Sequence, residues 1–151
     1  MLVQLLLSAL GVGLTLAIHI GALVWLFRPG RATPTLLRAT AVTLALLLAH
    51  LVEIIGYAAL LRLAVALGLG SLRGELGSPG TDYFYLSAVT YTTVGFGDLT
   101  PSPGLRLLTA VEALNGIVLA GVTTSALLVL LSAALRERLG LPPDGQRPAL
   151  R

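Results

Sequence analysis

The sequence predicts an all-α membrane protein, with three spanning helices and one half-length helix that enters the bilayer and turns back. Three observations carry this expectation. The chain of 151 residues is 56% hydrophobic and only 11% charged, with a mean hydropathy of +0.91. A soluble domain of this size needs a polar surface, so the solvent for most of this chain is lipid. Three apolar runs each reach the ~20 residues that a helix needs to cross the hydrocarbon. Between the second and third runs lies an apolar stretch too short to cross, followed by a segment with two glycines and two prolines.

The elements follow in chain order. Residues 2–27 carry no charge. A cleaved signal peptide has a basic start and a shorter apolar core, so this run reads as a retained helix. Pro29, Gly30 and Pro34 break the chain before the next helix. Residues 39–61 lie between Arg38 and Arg62 and are interrupted only by His50 and Glu53. After a Gly-rich stretch at 68–80, Thr81 and Asp82 read as a helix start, giving a helix over 82–92 of about 15 Å. Residues 93–103 cannot be helical throughout. A backbone that enters and leaves the membrane in this way is tolerated only inside protein or along water. Residues 107–135 form the third run, with Glu112 as its single charge.

The domain organisation that results is an N-terminal helix at 1–28 and a module at 35–138, with a short tail at 139–151. Within the module the outer helix spans 36–67, the re-entrant helix 82–92, the extended segment 93–98 and the inner helix 104–138. Arg28, Arg31, Arg38, Arg136, Arg138, Arg147 and Arg151 outnumber Arg62, Arg73 and Arg106. By the positive-inside rule the first loop and the C-terminus face the cytoplasm and the N-terminus faces out.

Composition also excludes. The net charge of +3 comes from arginines beside apolar runs, so no nucleic-acid face is expected. With no cysteine there is neither disulfide nor thiolate chemistry. No span carries arginine at every third position, which removes an arginine-ladder voltage sensor.

Residues 92–98 read Thr-Thr-Val-Gly-Phe-Gly-Asp. This string, after a half-membrane helix and before a spanning one, resembles the T-V-G-Y/F-G-D signature of the prokaryotic-type potassium-channel pore-module family. The resemblance covers about residues 35–138, and the N-terminal helix is additional to it. It implies a fourfold-symmetric homotetramer that conducts K+ passively, with membrane lipids and K+ as its partners, in the cell membrane. It implies no enzyme activity and no cofactor beyond the permeant ion. Thr93, Val94, Gly95 and Phe96 would bind K+, with Gly97 completing the filter and Asp98 at the outer mouth.

Physics accounts for these residue types. A dehydrated K+ needs a cage of oxygens, and backbone carbonyls provide one without a trapping charge. Aligning successive carbonyls requires alternating right- and left-handed dihedrals, which Gly95 and Gly97 accept at little cost. Val94 and Phe96 would point outward and wedge the filter. One loop supplies a quarter of each cage, so four chains meet on an axis. The C-terminal end of the re-entrant helix, near Thr92, would favour a cation below it. Asp98, with Glu75 and Asp82 nearby, would concentrate cations.

Departures from the family pattern are specific. Val89 stands where many relatives have a glutamate, and Phe96 and Leu86 stand where many have a hydrogen-bonded tyrosine and tryptophan. Packing should therefore replace that bond, and Tyr85 is expected to donate to Asp98. Tyr85, Leu86, Val89 and Thr92 are the expected filter supports.

In the third span, Gly116 and Gly121 are candidate hinges, with Gly116 favoured. Ile117, Ala120 and Thr124 repeat at helical spacing and are expected to line a central cavity. His50, Glu53, Glu112 and Asn115 are expected to form one polar cluster behind the filter, either as a neutral scaffold or as a proton sensor. His19 is expected to be a packing or interfacial residue. Two rival readings are a weakly selective cation channel and an intramembrane metalloenzyme using His19, His50, Glu53 and Glu112. The latter lacks a His-Glu-x-x-His pair.

Overall fold

The computed structural model describes residues 1–28 and 35–141. The breakers of the first loop and most of the Pro-rich tail lie outside the described residues. The elements are α1 (Leu2–Leu26), α2 (Leu36–Ala66), β1 (Leu72–Gly74), α3 (Pro79–Tyr91), β2 (Leu99–Pro101) and α4 (Arg106–Arg138). Helices α1, α2 and α4 are long and apolar enough to cross a membrane, as expected.

Local chemistry sets the helix ends. Thr35 caps α2, its hydroxyl accepting the Arg38 N–H at 3.2 Å. Helix α3 starts earlier than the expected position at Thr81 and Asp82. Ser78 is its N-cap and Pro79 its first residue, where a missing N–H costs nothing. Asp82 sits instead in the first turn and folds back to accept the Gly77 N–H at 3.1 Å. Helix α4 begins at Arg106 and carries Arg136 and Arg138 in its last turn, where the macrodipole favours cations.

Helix α1 packs against both α2 and α4, and α3 packs against the same two helices. Gln4 Nε2 donates to the Gly104 carbonyl at 2.6 Å, so the start of α1 lies at the same end as the start of α4. At the opposite end the Arg38 guanidinium reaches the Leu26 carbonyl at 3.4 Å. One apolar core, including Tyr57, Leu61, Leu86, Val89 and Leu108, surrounds α3. A second, around Leu46 and Leu130, holds the other end together.

Two short strands are an addition to the all-α expectation. β1 pairs antiparallel with β2, Leu72 opposite Pro101 and Gly74 opposite Leu99. The pairing continues through Ser102 N–H to the Ser71 carbonyl at 2.9 Å and Glu75 N–H to the Asp98 carbonyl at 3.3 Å. The ladder ties the chain before α3 to the chain after it. A Cβ at Gly74 would collide with the Asp98 carbonyl.

Helices α3 and α4 approach closely at Gly116, where a Cβ would run into the carbonyl oxygen of Tyr91 and lie 3.1 Å from its ring. The obstacle is backbone at the end of α3 and cannot move aside. Gly121, by contrast, has nothing within 4 Å of its would-be Cβ. Gly116→Val should therefore destabilise the protein by about 1–3 kcal/mol through overpacking. Gly121→Ala should be neutral or stabilising by up to ~1 kcal/mol through helix propensity. Thermal unfolding of the two variants in detergent distinguishes these outcomes.

Candidate functional site

The segment after α3 departs from helix in a regular way. φ is positive at Thr93 (61°), Gly95 (54°) and Gly97 (84°), and at neither residue between them. This is the alternation that the sequence required of Gly95 and Gly97. It also recruits Thr93, a β-branched residue for which the left-handed region is costly. The start of the segment is held from behind. Thr93 N–H donates to the Thr90 carbonyl at 2.9 Å and Gly95 N–H to the Val89 carbonyl at 3.1 Å. Val94 and Phe96 are 54% and 72% exposed in the single chain.

The hydrogen bond expected of Tyr85 is present. Its hydroxyl donates to Asp98 Oδ2 at 2.6 Å. That bond holds the Asp98 carboxyl below the usual carboxylate range and raises the Tyr85 phenol. Leu86 and Val89 are buried in the apolar core around α3, so packing holds this side of the helix. Thr92 caps α3 and its hydroxyl returns to the Ala88 carbonyl at 2.7 Å. Asp98 and Glu75 are both exposed, and the Glu75 N–H donates to the Asp98 carbonyl. Asp82 does not join them, because it is buried and committed to the Gly77 N–H.

Along α4, Ile117, Ala120 and Thr124 all lie on the exposed side of the single chain. Ile117 and Ala120 border a groove of about 540 Å³ with Thr92, Thr93 and His50. Thr124 lines a second groove further along, beside Thr43 and Leu128. The structure gives Gly116 a packing reason of its own, and α4 runs through it without a break.

The expected polar cluster divides. Glu112 and Asn115 do not hydrogen-bond with His50 or Glu53. Glu112 Oε1 pairs with the Ser87 hydroxyl, which also lies 2.8 Å from the Ile54 carbonyl. Its other oxygen, Oε2, has no partner among the described residues. Asn115 donates to the Thr15 hydroxyl at 2.7 Å, and Thr15 donates to the Gly11 carbonyl at 2.9 Å.

His19 overturns its expected packing role. It is fully buried, and its Nδ1 lies 2.9 Å from Glu53 Oε1. His50 Nδ1 lies 3.2 Å from Glu53 Oε2 and 3.0 Å from the Tyr91 hydroxyl, which itself donates to Glu53 Oε2. The Nε2 atoms of His19 and His50 converge on the Thr123 hydroxyl at 3.0 and 2.9 Å. Tyr91, Thr123, Thr15 and Ser87 were not singled out from sequence. A signal for the α1 contribution exists in retrospect: Gln4, Ser8, Gly11, Thr15 and His19 form a polar and small stripe at helical spacing.

The model of a protein family described as ion channel matches residues 44–133, from within α2 to near the end of α4. No curated protein and no solved structure matches the chain.

Tyr85→Phe tests the bond to Asp98. Asp98 titrates below its ordinary value in the folded protein, so the stabilisation from its Tyr85 bond is complete above the ordinary carboxylate pKa. It is lost as pH falls through the lowered value. In Y85F the Asp98 midpoint should rise towards the ordinary value, as read by carboxyl NMR or by the external-pH dependence of ion flux. An unmoved midpoint, with permeation and inactivation unaltered, would remove the role assigned to Tyr85.

Proposed function

Given that the chain belongs to the ion channel family and is a multi-pass membrane protein, we propose that it is a potassium-selective channel working as a homotetramer. The observation that carries the reading is the alternation of positive φ at Thr93, Gly95 and Gly97 directly after a half-membrane helix. Such a backbone turns consecutive carbonyls towards one side, the arrangement needed to replace the water shell of K+. Thr93, Val94, Gly95 and Phe96 coordinate the ion, and Gly97 completes the path to Asp98. Four copies around an axis close each cage and cover the exposed Val94 and Phe96 side chains.

The remaining parts have consistent roles. The C-terminal end of α3 presents the negative end of its macrodipole to the cavity below the filter. Ile117, Ala120 and Thr124 line that cavity. Asp98 and Glu75 attract cations to the outer mouth, and the positive-inside rule places that mouth outside the cell. Conduction is passive and needs neither catalysis nor a bound cofactor. If α4 bends to open, the unpacked Gly121 is the better hinge, because Gly116 is pinned against Tyr91.

Proteoliposomes decide the matter. A K+ gradient should drive flux that barium blocks, whereas an equal Na+ gradient should drive almost none. Comparable K+ and Na+ fluxes would make this a weakly selective cation channel instead. Gly95→Ala forces a side chain into the left-handed region at about 1–2 kcal/mol per subunit. It should abolish selective flux while leaving a tetramer on size-exclusion chromatography, and a variant with undiminished K+ flux would defeat the filter assignment.

A further inference from the structure

We propose that His19, His50, Glu53 and Tyr91 form a binding site for a divalent transition-metal ion of the zinc class, inside each subunit where the four helices meet. The donors come from three helices: His19 from α1, His50 and Glu53 from α2, and Tyr91 from the last residue of α3. The fourth helix supplies Thr123, whose hydroxyl lies between both imidazole Nε2 atoms.

The geometry suits a metal. One ligand atom each from His19, His50 and Glu53 lies within 4.8 Å of the others. Both histidines turn Nδ1 towards the same carboxylate, at 2.9 and 3.2 Å, and the Tyr91 oxygen lies 3.0 Å from His50 Nδ1. Bonds of about 2.0–2.1 Å in a tetrahedron separate neighbouring ligand atoms by about 3.3 Å. The three measured separations fall within a few tenths of an ångström of that value. Two imidazoles with two oxygens favour zinc, cobalt, nickel or copper over the all-oxygen preference of magnesium and calcium.

The second ring nitrogens suit the same arrangement. A metal ligand histidine usually donates its other ring N–H to a polar group that fixes the ring. Thr123 stands within hydrogen-bond reach of both Nε2 atoms and can accept from them. In that tautomer both Nδ1 lone pairs face the Glu53 carboxylate and can bind a cation. The ion would tie α1 to the residue that immediately precedes Thr92 and Thr93, giving the additional helix a direct hold on the ion path.

Protons alone can also join these groups, and the experiment separates the two states. The purified full-length protein is stripped with a chelator, titrated with Co2+ in detergent and followed by visible absorption. The expected result is one Co2+ per chain, with the intense d–d bands of four-coordinate N/O ligation, displaced by Zn2+. His19→Gln and Glu53→Gln should weaken binding at least tenfold, whereas Glu112→Gln, in its separate pocket with Ser87, should leave it unchanged. Circular dichroism and size-exclusion profiles confirm that each variant is folded. Absence of stoichiometric Co2+ in the wild-type protein, a weak six-coordinate spectrum, or unchanged affinity in the folded His19→Gln variant would overturn the site and leave a proton-linked network in its place.

Discussion

Non-helical backbone at membrane depth must be enclosed by protein, because hydrocarbon offers its N–H and C=O groups no partner. The rest of this structure answers to that constraint. Helix α3 stops halfway and the chain returns, so α2 and α4 flank it and give up surface to let it in. At Gly116 the two backbones meet with no room for a side chain, so the end of α3 rests directly on α4. Ser87, fully buried on α3, reaches the Ile54 carbonyl of α2 at 2.8 Å. Beyond the return, the β1–β2 ladder closes the loop on itself with backbone hydrogen bonds.

The same enclosure divides the subunit into two faces of opposite character. One face carries Val94, Phe96, Ile117 and Ala120, apolar or small and open in the single chain. The other holds buried polar groups satisfied through α1. Asn115 of α4 meets Thr15, Glu53 of α2 meets His19, and Gly104 at the start of α4 meets Gln4. Helix α1 is thus the fourth wall of a polar interior. Gly11 lets it approach closely, since a Cβ there would lie 2.7 Å from the Tyr57 ring.

Most of the frame was legible in the chain. Apolar run length marked the three spans, because helices across lipid must satisfy their own backbone, and the breakers before and after Tyr83–Thr92 marked the half-length helix. The alternating dihedrals at 95 and 97 were readable for a similar reason: only glycine enters that region cheaply. The Tyr85–Asp98 bond was also anticipated, because Leu86 and Val89 are apolar and leave Tyr85 as the polar side chain of that helix able to reach Asp98. Less accurate was the start of α3, where Pro79 outweighed the Thr81–Asp82 signal, and the two strands, which are too short to leave a period.

What the sequence by itself determined is therefore everything governed by local periodicity and backbone preference: the number of spans, the re-entrant segment, and the left-handed positions at Gly95 and Gly97. What only the tertiary structure decided is which side chains share a space across helices. Glu112 and Asn115 lie on the same span, yet they face Ser87 and Thr15 rather than Glu53. His19 lies 34 residues from Glu53 and still joins it. The physical reason is that a helix's rotation about its axis is set by the packing of its neighbours. That rotation, invisible to spacing along one helix, chooses the partner of every buried polar group.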